Sequence, residues 1–386
     1  MKQDADPDLE MRVKSKAKPA LFAIIPILLC TLAAGVQAQG KRMIIFDQDA
    51  SGPGGTDMMS LLVLLQDPDV NVLGVTVVTG DGWRDEEVAH SLRLLELVGR
   101  TDVPVVSGAA FPLVRTQQWT LEWEKLYGSV TYLGAFSQRP NSHGPFEVPP
   151  LREGDPTTKA ADEDAAHFLV RMVKAHPHQV SIYAGGPLTN IALAISLYPQ
   201  FAEMTNGIFI MGTSILPRTD DPEFATDPRH EFNVWFDPEA THIVLRAHWP
   251  IIQITTVDVS LETQLTQGMF DKIAKVQTPV AQYIAKYARP GRGPLWDELA
   301  AASWIDPSMI TNTKKTYMDI NLDRGAGYGQ ILIFSDKVKP DLDVQMVNAQ
   351  MDVDVEKFDD LFVKLMTGPT PGAHNPLMLK NSDSNK

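Results

Sequence analysis

Met43-Ile44-Ile45-Phe46-Asp47-Gln48-Asp49 is an unbroken apolar run that ends on two acids one residue apart. An apolar run without alternation reads as a strand buried on both faces, as parallel sheets require. Ligands of open parallel sheets bind at the carboxyl ends of the strands. Asp47 and Asp49 therefore fall where chemistry is expected.

Outward from this strand, apolar and amphipathic segments alternate. Residues 58–65 are helical after Asp57, 72–78 form a strand rich in β-branched residues, 86–98 have the period of an amphipathic helix, and 103–106 form a third strand. The alternation resumes with a helix over 161–175, a strand over 180–184, a helix over 189–197 and a strand over 207–211. A helix over 238–247 and a strand over 251–257 follow. Strand–helix alternation implies βαβ units. The fold class expected is α/β: a Rossmann-like, open, mostly parallel sheet with helices on both faces.

Two stretches break the pattern, 112–156 and the polar, proline-containing 213–229. Long irregular segments inside a compact α/β domain are usually functional loops. No internal repeat and no interdomain linker is visible, so one domain is expected over 41–368. The remainder, 369–386, is rich in Gly, Pro, Asn and Ser and is expected to be disordered.

Lys14, Lys16 and Lys18 precede an apolar run from 20 to 36, followed by Val36-Gln37-Ala38. This is the pattern of a cleavable signal peptide over 1–38, with Met11 as an alternative start. It predicts an exported protein, periplasmic or secreted, with no membrane association after cleavage. The single cysteine, Cys30, lies in this segment, so the mature chain has no disulfide and no thiolate metal site. The net charge of −14 argues against a nucleic-acid partner, which requires clustered Lys and Arg. Self-association into a homo-oligomer stays open.

Further acids fall near other strand ends: Asp57 after a glycine-rich loop, Asp81 after Gly80, and Asp297 before an Ala-rich helix. Carboxylates gathered without Lys or Arg repel one another unless a hard divalent cation joins them, and Ca2+ best tolerates an irregular oxygen cage. Asp57 alone suits a helix N-cap equally well. Asp-x-Asp after a first strand also occurs in haloacid-dehalogenase-like phosphatases, although Ala50-Ser51 and the absence of later lysine and paired-aspartate motifs fit them poorly.

Four segments in order resemble the inosine-uridine preferring nucleoside hydrolase family. Asp47 to Asp57 resembles the family's Asp-x-Asp-Pro-Gly-x-Asp-Asp, lengthened by three residues and with Thr56 in place of the first paired Asp. Gly186-Pro187-Leu188-Thr189-Asn190-Ile191-Ala192 and Glu231-Phe232-Asn233, continued by Asp237-Pro238-Glu239-Ala240, match the second and third motifs. Trp296-Asp297 before an Ala-rich helix is the fourth.

The resemblance implies a nucleoside hydrolase fold and Ca2+-dependent cleavage of ribonucleosides, purine ones above all, to ribose and free base. It implies Asp49 as general base, and Asp49, Asp57, Asp297 and the Gly185 carbonyl as metal ligands. Asp47 is implied as support, with Thr56, Asp81, Asp220, Glu231 and Asn233 about the ribose. Trp296 stands where many members carry a histidine acid, and resembles a purine-stacking Trp, with Trp119 or Trp123 as the opposite face. His230 is read as a surface residue. The missing carboxylate at Thr56 leaves a second reading, a non-catalytic nucleoside-binding protein on the same scaffold.

Overall fold

The computed structural model describes residues 40–374. The expected signal peptide lies outside the described residues, as do the last twelve of the chain, 375–386. Residues 369–374, expected to be disordered, instead meet the end of the Arg84–Val98 helix: the Arg100 guanidinium donates to Pro371 O at 3.2 Å and His374 N–H to Gly99 O at 2.6 Å.

The central sheet has nine strands: β1 (Arg42–Gln48), β2 (Val70–Val77), β3 (Val105–Ser107), β4 (Val180–Ala184), β5 (Gly207–Met211), β6 (Ile252–Thr255), β7 (Ile310–Ile320), β8 (Ile331–Phe334) and β9 (Met346–Val353). Their order is β3-β2-β1-β4-β5-β6-β9-β7-β8. From β3 to β9 all pairs are parallel. β7 pairs antiparallel with both β9 and β8, an edge the sequence reading did not anticipate.

Side chains alternate across the sheet because successive residues of a strand point to opposite faces. Ile44 and Phe46 enter one core, with the Thr56–Gln66, Arg84–Val98, Trp296–Ile305 and Val355–Thr367 helices. Ile45 enters the other, with the Ala165–Ala175, Thr189–Leu197 and Pro238–Arg246 helices. A strand buried on both faces cannot alternate polar with apolar residues, which is why β1 reads as it does.

The strand order reverses between β1 and β4, with β2 on one side and β5 on the other. There the loops leaving the two strands part in opposite directions and open a crevice. Asp47–Ala184 is the last pair of that ladder, and Gly185 N–H donates to Asp47 O at 3.0 Å. Among the described residues no helix is long and apolar enough to cross a membrane.

The two irregular stretches are not wholly irregular. The first holds a helix, Gln117–Tyr127, capped by Thr116, whose Oγ1 accepts from Trp119 N–H at 3.1 Å. The second holds a single turn, Pro222–Ala225.

Candidate active site

A cavity of about 410 Å³ opens at the crevice between β1 and β4. Its wall includes Asp49, Asp57, Asp81, Gly185, Glu231, Asn233, Trp296 and Asp297, residues spread over most of the chain. Thr56 also borders it.

Asp49 lies just past β1 and is 2% exposed. Its Oδ2 accepts the Asp81 N–H at 2.9 Å. The backbone closes tightly around it: a Cβ on Gly80 would lie 2.1 Å from Asp49 Oδ2, and one on Gly186 would lie 2.6 Å from Oδ1. Burial, then repulsion by Asp81, Glu87 and Asp297, pushes its carboxyl well above the usual range. Asp57 responds in the same way, through burial and then Asp81 and Asp297. Burial raises Asp81 to about 6 and Asp297 to about 7.

Asp57 is not the helix cap that its position allowed. The cap position of Thr56–Gln66 is Gly55, with no side-chain cap, and Asp57 sits buried in the first turn. Asp297 similarly opens Trp296–Ile305, whose cap position, Leu295, offers no side chain either. Neither helix start carries a side-chain cap, and the Asp297 N–H is instead accepted by Thr56 Oγ1 at 3.2 Å.

Asp47 does not border the cavity. It is fully buried beneath it, where Oδ2 accepts from Thr76 at 2.5 Å and Asn190 at 2.9 Å. Asn190 also accepts the Ala109 N–H at 2.8 Å, so the Gly-Pro-Leu-Thr-Asn motif ties β1, β4 and the segment after β3 together. Burial raises the Asp47 carboxyl to about 7 despite these bonds.

Glu231 caps the Phe232–Phe236 turn, its carboxylate accepting N–H bonds from Thr213 at 2.9 Å, Asn233 at 3.2 Å and Val234 at 3.3 Å. It is buried, not the exposed carboxylate that such a position usually carries. The Asn233 amide donates to Gly185 O at 2.6 Å and Met211 O at 3.2 Å, and its Oδ1 accepts nothing among the described residues. The carbonyl implied as a metal ligand is therefore also oriented by a residue implied in ribose binding.

Thr56 donates to Glu298 Oε2 and accepts the Asp297 N–H at 3.2 Å. Glu298 is fully buried and was not singled out in the sequence. A carboxylate next to the one in the Trp296-Asp297 motif was the only available signal. Tyr132, also missed, borders the cavity with its hydroxyl at the Asp81 carboxyl.

Other expectations are corrected. Trp119 does not reach the cavity: its ring packs edge-on against Tyr328 at 5.1 Å and beside the buried Arg115 guanidinium at 5.4 Å. Trp123 is buried, donates to Gly325 O at 2.9 Å and packs against His230 at 5.6 Å. His230 is buried as well, and desolvation lowers its ring to about 4. Asp220 does not border the cavity, but Asp221 does, a one-residue shift in a loop with no periodicity to fix its register. Trp296 is at the rim as expected, its ring 6.0 Å from Phe224.

The residues present fit a hard cation. Asp49, Asp57 and Asp297 are at most 5% exposed, and no Lys or Arg forms an ion pair with them among the described residues. The Gln48 Oε1 is buried without a partner, and a Cβ on Gly185 would fall 2.0 Å from it and 2.7 Å from Asp297 Oδ1. Carboxylate and neutral amide oxygens thus converge on a cradle that glycine leaves open. Among the described residues no trio of His, Cys, Asp or Glu side chains closes into a cage alone. Neutral oxygens would have to complete any coordination shell, a set suited to Ca2+.

The sequence model of the inosine-uridine preferring nucleoside hydrolases matches residues 44–360. The chain belongs to that family. A probable uridine nucleosidase of Arabidopsis thaliana is 32% identical over 246 residues, 64% of this chain and 68% of that one. A pyrimidine-specific ribonucleoside hydrolase of Photobacterium profundum is 29% identical over 284 residues, covering 70% and 82%. The solved purine-preferring ribonucleoside hydrolase from Gardnerella vaginalis shares the fold, with a TM-score of 0.66 at 21% identity over 85% of this chain and 99% of that one. As a nucleoside hydrolase the chain is an N-glycosidic hydrolase, which sets aside the phosphatase and the non-catalytic binding readings.

Proposed function

We propose that this nucleoside hydrolase cleaves purine ribonucleosides to ribose and free base, with Ca2+ held by Asp49, Asp57, Asp297 and the Gly185 carbonyl. The observation that carries the reading is the buried, uncompensated carboxylate cluster at the β1/β4 crevice, with Trp296 at its rim.

Bound there, calcium would supply an oriented and more acidic water and a hold on the ribose diol. The chain's own residues supply the rest. Asp49, held by the Asp81 N–H, is placed to take the water proton at its carboxylate. The three N–H bonds on Glu231 fix its carboxylate, and Asn233 Oδ1 stands free beside it. Rigid groups of this kind orient a ribose before reaction, which is where much of the rate comes from. The Trp296 indole offers a flat face to a purine.

Release of ribose and base from inosine, adenosine and uridine, with and without a strong chelator, tests this directly. Purines should turn over fastest and the chelator should stop turnover. Faster cleavage of uridine would remove the purine assignment, and indifference to chelation would remove the metal. The basic then apolar segment over residues 14–36 further supports export, which fractionation of the producing cells tests.

A further inference from the structure

A second cavity, of about 490 Å³, adjoins the catalytic one. The two share Thr56, Asp57, Asp81, Tyr132 and Trp296. Glu231 and Asn233, the ribose-side groups, line only the first. Arg152, Arg289 and Arg292 line only the second. The annex therefore sets three arginines against the shared Asp57 and Asp81 and against Glu298, which lines only the annex.

These arginines are exposed and hold no carboxylate among the described residues, in a chain of net charge −14. Arg84, Arg100 and Arg171, by contrast, each pair with a neighbouring acid. Arg289 is steadied by bonds to Lys286 O at 3.2 Å and Ala288 O at 2.8 Å. A second observation points the same way. Tyr287 lines the annex at 6% exposure, and its hydroxyl has no hydrogen-bond partner. The wall beside it is the Gly52-Pro53-Gly54-Gly55 loop, in the segment that lengthens the first motif. Gly54 has φ +73°, and a Cβ there would strike the Tyr287 backbone at 2.5 Å. Its N–H donates to Tyr283 Oη at 2.9 Å. Glycine is what lets this loop lie flat against the Pro279–Tyr287 helix and leave the annex open.

We propose that this annex receives the departing base as an anion, so that the enzyme favours nucleosides whose base leaves as, or already is, a negative ion: oxopurines of xanthine type over adenine. The proposal rests on the purine reading above, which places the base at Trp296 and the ribose at Glu231. In the reaction the C1′–N bond breaks and its electron pair stays on the base. Water supplies the oxygen of the new C1′–O bond, and its proton passes to Asp49 and then to solvent. An unprotonated base departs with negative charge, and no histidine borders either cavity to neutralise it. Guanidinium groups cannot act as proton donors near neutrality, but they stabilise the anion directly.

The test compares kcat/KM for xanthosine, inosine and adenosine in the wild type and in an Arg289→Gln, Arg292→Gln double variant. Xanthosine should lose about tenfold and adenosine less than about threefold, as removal of charge-assisted bonds predicts. Equal losses on both would overturn the proposal. A wild-type measurement guards against a misfolded variant: the inhibition constant of free xanthine should tighten as pH rises through the ionisation of that base, and a flat profile would overturn it. Inosine 5′-monophosphate cleaved faster than inosine, with the advantage erased in the variant, would assign the arginines to a sugar phosphate and also overturn it. If no nucleoside is turned over, the functional reading fails, and calorimetric binding of xanthine against adenine still decides the annex.

Discussion

Thr56 and Glu298 are bonded side chain to side chain, and Thr56 also accepts the backbone N–H of Asp297. One hydroxyl thus joins the starts of the Thr56–Gln66 and Trp296–Ile305 helices, which carry Asp57 and Asp297. Burial pushes the Glu298 carboxyl well above its ordinary range, and its Oε1 has no partner. Thr56→Val leaves that carboxyl without its remaining partner. It should cost about 1–3 kcal/mol of stability, as for any stranded buried polar group. Chemical denaturation measures the stability, and turnover should fall with it as the two aspartates lose their mutual placement.

Asp49→Asn should abolish base release while leaving the fold intact. The amide is nearly the same size and still accepts the Asp81 N–H, but it cannot take a proton. Melting temperature and kcat measured together check this. Turnover within about tenfold of wild type would remove Asp49 as the base.

Metal removal should make stability pH-dependent in a defined direction. The raised carboxyls favour the protonated form in the folded state, with Asp81 at about 6 and Asp297 at about 7 against the ordinary 3.8. The folded state therefore binds more protons than the unfolded one between about 4 and 7. Chelated protein should lose stability as pH rises through this window and recover it on acidification. Added Ca2+ should reverse the trend, contributing about 2.7 kcal/mol at a hundredfold excess over Kd. Melting curves at pH 5 and pH 8, with and without calcium, read this out.

His90 gives the same sign over a higher interval. Burial pulls its ring down, but hydrogen bonds and charge from Glu153 and Glu86 outweigh that and raise it from 6.5 to about 9. Its contribution is fully present below 6.5 and is lost as pH rises through about 9. The ring packs under the glycine loop, 2.9 Å from where a Gly52 Cβ would stand. Glu153→Gln should flatten the melting-temperature profile over that interval.

Tyr132→Phe removes the hydroxyl at Asp81 and little else. A loss of about tenfold in kcat/KM with an unchanged melting temperature is expected if this hydroxyl orients Asp81 at the substrate, by analogy with other single positioning bonds. Equal activity would place Tyr132 in the wall alone.

The parts of this protein that were legible in sequence are those in which chemistry is concentrated in short contiguous runs. β1 shows itself because burial on both faces keeps Met43 to Phe46 apolar, with acid and amide only at its last two positions, Asp47 and Gln48. The segments at Gly186 and Glu231 were equally readable. The antiparallel edge was not, because β7 runs through Thr311-Asn312-Thr313-Lys314-Lys315-Thr316, mostly exposed, with too little alternation to signal a strand. Trp119 and Trp123 were misplaced because the stretch that carries them reads as an irregular loop, although it forms the Gln117–Tyr127 helix. Both turned toward Arg115, His230 and Tyr328. Tyr132 sits in a stretch with no period at all, where only the fold can bring a side chain to the site.

The contact of Gly80 and Gly186 with Asp49 divides the pocket into two kinds of inheritance. The Asp49 carboxylate is enclosed by main chain, at distances that admit no larger residue on either side. Trp296, Tyr132, Phe224 and the arginines of the annex are side chains on the rim, replaceable one at a time. The rim can thus change one side chain at a time, while the enclosure of Asp49 has no neighbouring variant to drift into.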